Sequence, residues 1–185
     1  APGITVSLVI ADSQEIIDLL LAGEIELGVV GMRFDERQVE AYPLFHDRVI
    51  IVAHPEHPLA AQGEISWEEL QGAALLIRER GSGTRRAFEE YVHRAGHQLD
   101  DFTVIGEVGS STAVKEGVKG GVGLGIISDL AVQEEMTEGK VREIRVQGVG
   151  SLQRDFFAVA ATGRELSPPA RRFLDFLIRG RSVSP

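Results

Sequence analysis

The stretch Leu75-Leu76-Ile77-Arg78-Glu79-Arg80-Gly81-Ser82-Gly83-Thr84-Arg85-Arg86-Ala87-Phe88 changes character twice. Leu75 to Ile77 reads as a short buried strand, and Gly81-Ser82-Gly83-Thr84 as a turn. Arg85 to Ala95 reads as a helix, with Phe88, Val92 and Ala95 along one face. Further along, the same alternation repeats. Phe102 to Val108 is a strand, Gly109 to Thr112 a turn, and Ala113 to Lys119 a helix. Gly120-Gly121-Val122-Gly123 stops that helix and feeds a strand, Leu124 to Ile127, and Val141 to Val146 is another. Strands alternating with helices predict an α/β fold.

Working toward the N-terminus, Ser66-Trp67-Glu68-Glu69 has the spacing of a capping box that opens a short helix. A strand, Arg48 to Val52, lies among Pro43, Pro55 and Pro58. Ile4, Val6, Leu8 and Ile10 alternate with less apolar residues, which predicts a strand. Ala11-Asp12-Ser13-Gln14 breaks it. Ile16, Ile17, Leu19, Leu20 and Leu21 then crowd a helix that stops at Gly23, and Leu27 to Val30 is a second strand ending at Gly31. Strand, helix and strand in that order predict a parallel βαβ unit. Toward the C-terminus, Phe156 to Ala161 is the last strand. Ser167-Pro168-Pro169 opens a helix with the stripe Phe173, Leu174, Leu177 and Ile178. The polar tail from Gly180 is expected to fray. Two runs of βα units predict two lobes: 1–72 plus 147–185, and 73–146. The hinge candidates are Gln71-Gly72-Ala73 and Gln147-Gly148-Val149-Gly150-Ser151.

Composition narrows the function. The chain has 185 residues, enough for one domain or two small lobes. Its formal net charge of −9 argues against gripping a phosphate backbone unaided. With no cysteine, disulfides, thiolate metal sites and a cysteine nucleophile are excluded. No apolar run approaches the roughly 20 residues of a membrane span. Ala1-Pro2-Gly3 carries neither an initiator Met nor a signal peptide, and reads as the middle of a longer chain.

Three turns share one design. Ala11-Asp12-Ser13-Gln14, Gly81-Ser82-Gly83-Thr84 and Gly109-Ser110-Ser111-Thr112 each follow a strand and precede a helix. Helix starts offer unpaired amides and a positive dipole end to anions. In open α/β sheets, ligands sit beyond the carboxyl ends of the strands. Helix capping alone accounts for any single one of these turns. Two lobes presenting them to a common crevice make a ligand site.

Other clusters read more plainly. Gly121-Val122-Gly123-Leu124-Gly125 follows a helix and precedes a strand, the reverse of a dinucleotide fingerprint, and is read as a helix stop. His46, His54 and His57, near Asp47 and Glu56, lack a further ligand pair at metal spacing and are read as solvated loop histidines. His93 and His97 are read as surface residues. Glu68-Glu69, Glu89-Glu90, Asp100-Asp101 and Glu134-Glu135 diverge in direction and are read as solvated faces. Arg85-Arg86 opens a helix against the dipole, which fits either an anion or a pairing with Glu89 and Glu90. No Ser-His-Asp set stands out, and Ser82 lacks the nucleophile-elbow pattern.

The ordered set of these segments resembles the effector-binding domain of LysR-type transcriptional regulators. The likeness lies in Val6 to Gly31, with Ser13-Gln14-Glu15-Ile16 and Leu21-Ala22-Gly23-Glu24-Ile25-Glu26-Leu27-Gly28. It continues in Pro43-Leu44, Arg48 to Val52, His57-Pro58-Leu59, Arg78 to Arg85, and Val118 to Ile127. The resemblance implies an α/β fold of two Rossmann-like lobes with a hinge, similar to type 2 periplasmic-binding proteins, joined by two crossing segments. It implies a small-molecule effector, expected to be anionic, bound between the lobes by Ser13, Gln14, Ser82, Gly83, Thr84, Ser110, Ser111 and Thr112. It further implies a cytoplasmic regulator that pairs as a homodimer and meets DNA through a separate N-terminal winged-helix domain. No catalytic residue, metal or cofactor is expected, and no membrane partner. Family domains begin with a strand and helix ahead of the segment matching Ala1. The alternative reading is an exported solute-binding protein of the same fold. An enzyme on this scaffold would need an acid–base pair in the cleft, and none is found.

Overall fold

The computed structural model describes residues 3–32, 37–148 and 150–180. The chain divides into two α/β units, one built from 1–46 with 155–185 and the other from 47–154.

In the second unit, β4 (Leu75–Arg78) runs parallel to β5 (Val104–Val108) on one side and to β6 (Leu124–Ser128) on the other. β6 lies antiparallel to the end of β2 (Val39–Ala53). β7 (Arg142–Val146) is antiparallel to β2 and parallel to the short β3 (Glu64–Ile65). Because β2, β4 and β6 are covered on both faces, they are apolar on both, as parallel-sheet interiors require. One face packs Val49, Ile51, Leu75, Ile77 and Ile126 against Phe88 and Val92 of α3 (Gly83–Arg94). The other packs Ile50, Val52, Leu76 and Ile127 against Val114 and Val118 of α4 (Ser111–Lys119) and Val132 of α5 (Asp129–Thr137). The periodicity did not mark α5 out.

The capping box opens α2 (Trp67–Gly72) as its spacing predicts. Ser66 Oγ accepts from the Glu69 amide at 3.2 Å, and the Glu69 carboxylate accepts from the Ser66 amide at 2.8 Å. The glycine run stops α4, with Gly121 at φ +73° and hence in the left-handed region. Gly123 is required for another reason: a Cβ there would run into the backbone carbonyl of Ala74.

In the first unit, α1 (Ser13–Ala22) and β1 (Gly28–Val30) cover a small core of Ile16, Ile17, Leu20, Val30, Val39 and Val159. β1 pairs with β8 (Leu152–Ala161), with Gly28 opposite Val159 and Val30 opposite Phe157. α6 (Pro168–Arg179) opens at Ser167, whose Oγ accepts from the Ala170 amide. The Glu26 carboxylate accepts from the Ser167 amide at 2.7 Å and from its hydroxyl at 2.9 Å.

Several expectations are corrected. Residues 4–10 join no ladder among the described residues, and Val6, Leu8 and Ile10 are exposed. Alternation alone does not make a strand; it needs a neighbour to bond. The parallel βαβ pair is therefore not formed, and β1 lies antiparallel to β8. The strand expected at Arg48 to Val52 is the end of the 15-residue β2, which carries Pro43 within it.

The boundaries move as well. The division falls at His46/Asp47 and Arg154/Asp155, not at 71–73 and 147–151. Residues 47–72, expected in the first lobe, belong to the second unit. Leu70 joins its core and Trp67 packs on Tyr91 with ring centroids 5.6 Å apart. The Gln71 carbonyl accepts from the Thr103 amide, which ties the proposed hinge into that unit. β2 and β8 are instead the two segments that pass from one unit to the other. Val149 of the second hinge candidate and 181–185 of the tail lie outside the described residues.

Candidate functional site

β4 and β5 are adjacent and parallel, with Arg78 opposite Val108. Their carboxyl ends thus share one edge of the sheet, and the turns that follow open α3 and α4 there. Ser82 caps α3, its Oγ accepting from the Thr84 amide at 3.2 Å. Ser110 caps α4, its Oγ accepting from the Ala113 amide at 3.1 Å. Both helices begin two residues earlier than their apolar stripes imply, because the cap residues precede the stripe. A capping hydroxyl that accepts from the backbone still has its own proton to donate.

Arg78 ties the two turns together. Its Nη1 donates to Ser111 Oγ at 3.0 Å, and its Nε and Nη2 grip the Glu79 carboxylate. Burial alone would raise the Glu79 carboxyl, but the Arg78 guanidinium and a backbone amide hold it below its ordinary value. Thr84 is only 2% exposed, and its hydroxyl makes no hydrogen bond among the described residues. Gly83 is buried beside it, while Ser110 and Thr112 are exposed. Ser82, Gly83, Thr84, Ser110, Ser111 and Thr112 therefore line one edge of the second unit. Two helix starts and a guanidinium converge there, a setting that suits an oxyanion.

A second network lies in the same unit. Asp47, on β2, accepts from the Ser128 hydroxyl at 3.0 Å and from Arg154 Nε at 2.9 Å. Burial lowers the Arg154 guanidinium below its ordinary value, Asp47 opposes that shift, and Arg78 is close enough to add to it. Sequence reasoning missed Asp47, Ser128 and Arg154. They are far apart in the chain, and no local pattern marks them. Arg78 stood in plain view beside the turn, and its place at the end of a predicted strand was the available signal.

In the first unit, Asp12 rather than Ser13 caps α1, its carboxylate accepting from the Glu15 amide at 2.9 Å. Ser13 Oγ accepts from the Gly31 amide, and Gln14 donates to Asp18. Arg85 and Arg86 take the pairing reading: Arg85 bonds Glu89 and Glu107, and Arg86 pairs with Glu90. His97 is not a surface residue. It is half-buried against Trp67, with ring centroids 4.7 Å apart, and bonded to Gln71. Glu135 is not solvated either; it is 7% exposed and paired with Lys115 at 2.8 Å. Of the loop histidines, His46 meets Asp155, while His54 and His57 accept from the Glu56 and Leu59 amides.

Two α/β units, linked by two crossing strands and bearing an oxyanion-suited edge, define a ligand-binding architecture. The family is identifiable directly: residues 1–181 match the LysR substrate binding domain, and the chain belongs to that family. It is 30% identical over 95% of its length to a RuBisCO operon transcriptional regulator of Acidithiobacillus ferrooxidans, covering 56% of that protein. It is 31% identical over 95% of its length to the HTH-type transcriptional activator CmpR of Synechocystis, covering 57% of it. The chain thus spans about half the length of these relatives. The regulatory domain of CcmR from Synechocystis PCC6803, solved in complex with 2-PG, is 28% identical with a TM-score of 0.83. The match covers 96% of this chain and 84% of that one. Among the described residues, no helix is long and apolar enough to cross a membrane.

Proposed function

We propose that this chain is the effector-sensing part of a LysR-type transcriptional regulator, and that it takes a small organic anion at the shared edge of β4 and β5. The observation that carries the reading is the convergence of the α3 and α4 starts on that edge, joined through Arg78 and Ser111. Ser82, Gly83, Thr84, Ser110, Ser111 and Thr112 are the donors; Ser13 and Gln14 are proposed to take part in the same binding event. The similarity to a regulatory domain solved with 2-PG supports a compact anion as effector. Relatives named as transcriptional regulators favour this role over an exported solute-binding protein and over an enzyme. In the whole protein, binding biases a conformational equilibrium that a DNA-reading domain senses, in the cytoplasm and in a homodimer.

Calorimetry with 2-PG and a panel of small metabolic anions tests the reading. Thr84→Val keeps size and removes a hydroxyl; Ser110→Ala does the same at the second turn. Each is expected to weaken binding by about 0.5–1.5 kcal/mol, or about 1.5–3 if the contacted group is charged. Anions that bind with affinity unchanged by both substitutions overturn the site, and binding of cations alone overturns the anion preference.

A further inference from the structure

We propose that Arg78 is the receptor for the effector's oxyanion and that the Glu79 carboxylate is its built-in competitor, displaced when the effector binds. The inference rests on the function proposed above and adds the group that ligand must carry. Arg78 presents Nε and Nη2 as a fork, and the two Glu79 oxygens fill both prongs. Its remaining prong, Nη1, already reaches Ser111 in the α4 turn. A carboxylate or phosphate that offers two oxygens to that fork matches the geometry Glu79 now satisfies.

Asp47 and Glu79 differ in their freedom to leave the arginine each one holds. Asp47 has no exposed side-chain surface and is held by Arg154 and Ser128. Glu79 is 22% exposed and follows Arg78 directly in the chain, so the displacement proposed here needs only its side chain to turn toward solvent. Leaving a guanidinium as enclosed as Arg78 without a counter-charge is costly. A resident carboxylate spares the unliganded protein that cost, and any effector must then outcompete it.

The test measures 2-PG and inorganic phosphate binding by calorimetry, and thermal stability, for wild type, Glu79→Gln, Arg78→Gln and Glu134→Gln. Glu134→Gln removes the same charge from an exposed position on α5. Glu79→Gln is expected to bind 2-PG about tenfold more tightly, to melt lower than wild type without ligand, and to recover that loss when 2-PG is added. Arg78→Gln is expected to lose at least as much affinity. Binding by Glu79→Gln no tighter than wild type overturns the competitor role while the proposed function stands. So does an equal gain in Glu134→Gln, which marks a bulk charge effect. Wild-type affinity in Arg78→Gln overturns the receptor role. Failure of every protein to bind either probe overturns this inference together with the reading beneath it.

Discussion

Asp47 and Arg154 meet at 2.8 Å although the Asp47 side chain has no exposed surface and that of Arg154 is 12% exposed. A pair this enclosed gains little over an apolar replacement, because both ions give up their hydration. Breaking it is a different matter. Asp47→Ala takes the Asp47 carboxylate away from an enclosed guanidinium, and a loss of about 3–5 kcal/mol is expected. Ser128→Ala removes one bond to a carboxylate that keeps its arginine, for a loss of about 1–2 kcal/mol. Chemical denaturation of both variants checks the ordering, which reverses if the ion pair is incidental.

Gly123 is expected to tolerate no side chain. Its missing Cβ is where the Ala74 carbonyl lies, and that carbonyl also accepts from the Leu124 amide at 2.8 Å, so it is not free to move aside. Gly123→Ala should cost about 1–3 kcal/mol or more. Gly121→Ala acts through its positive φ instead and should cost about 1 kcal/mol. Urea midpoints for the two variants separate close approach from backbone strain.

Much of the second unit was legible because its signals are local. A capping box, a proline-punctuated turn or a glycine stop needs only a few neighbouring residues. The Ser66–Glu69 exchange and the turns at Ser82 and Ser110 follow directly from such spacing. What failed was pairing at a distance. Ile4 to Ile10 has a strand's alternation but joins no ladder, and β2 runs through Pro43, where local rules would have ended it. Asp47, Ser128 and Arg154 come together from three strands or strand ends, and nothing in their own neighbourhoods announces it. The turns at Ser82 and Ser110 have local signals, whereas the bond from Arg78 to Ser111 spans 33 positions and has none.

Acid is expected to unfold the chain through carboxylates held ionised. Lys115 bonds Glu135 and lowers its carboxyl below the ordinary value despite burial, and the Ser66 backbone amide lowers Glu69. For such groups the unfolded chain takes up protons first, so stability present above the unfolded value near ~4.3 is lost as pH falls through the lower folded values. The melting temperature should hold from neutrality to about pH 5 and drop below about 4.3. Glu135→Gln should melt lower at neutral pH and show a shallower acid slope. Melting curves between pH 7 and 3 read both effects, and an equal acid slope in the variant refutes the assignment to Glu135.

Self-association is expected at apolar edges. Val6, Leu8 and Ile10 are exposed in a segment that joins no ladder among the described residues. β5 has β4 as its ladder partner and exposes Ile105. Unpaired strand edges with apolar side chains are docking surfaces. Leu8→Lys and Ile105→Lys should each shift the chain toward its 20.1 kDa mass in sedimentation at micromolar concentration. A wild-type chain that sediments at 20.1 kDa throughout removes the basis for the homodimer.

The chain's path through β2 and β8 also sets an order of assembly during synthesis. The unit from 47–154 is one unbroken segment, so it can close as soon as its last strand leaves the ribosome. The other unit starts first and finishes last. Its early apolar residues, Ile16, Leu20 and Val30, wait for Val159 on the returning strand. Val159 follows Val30 by 129 residues, so at about 5–20 residues per second the wait is on the order of 6–26 s. The earlier-made segment of this unit is therefore exposed to proteases and chaperones for longest, and it is sheltered only after the 47–154 unit has folded.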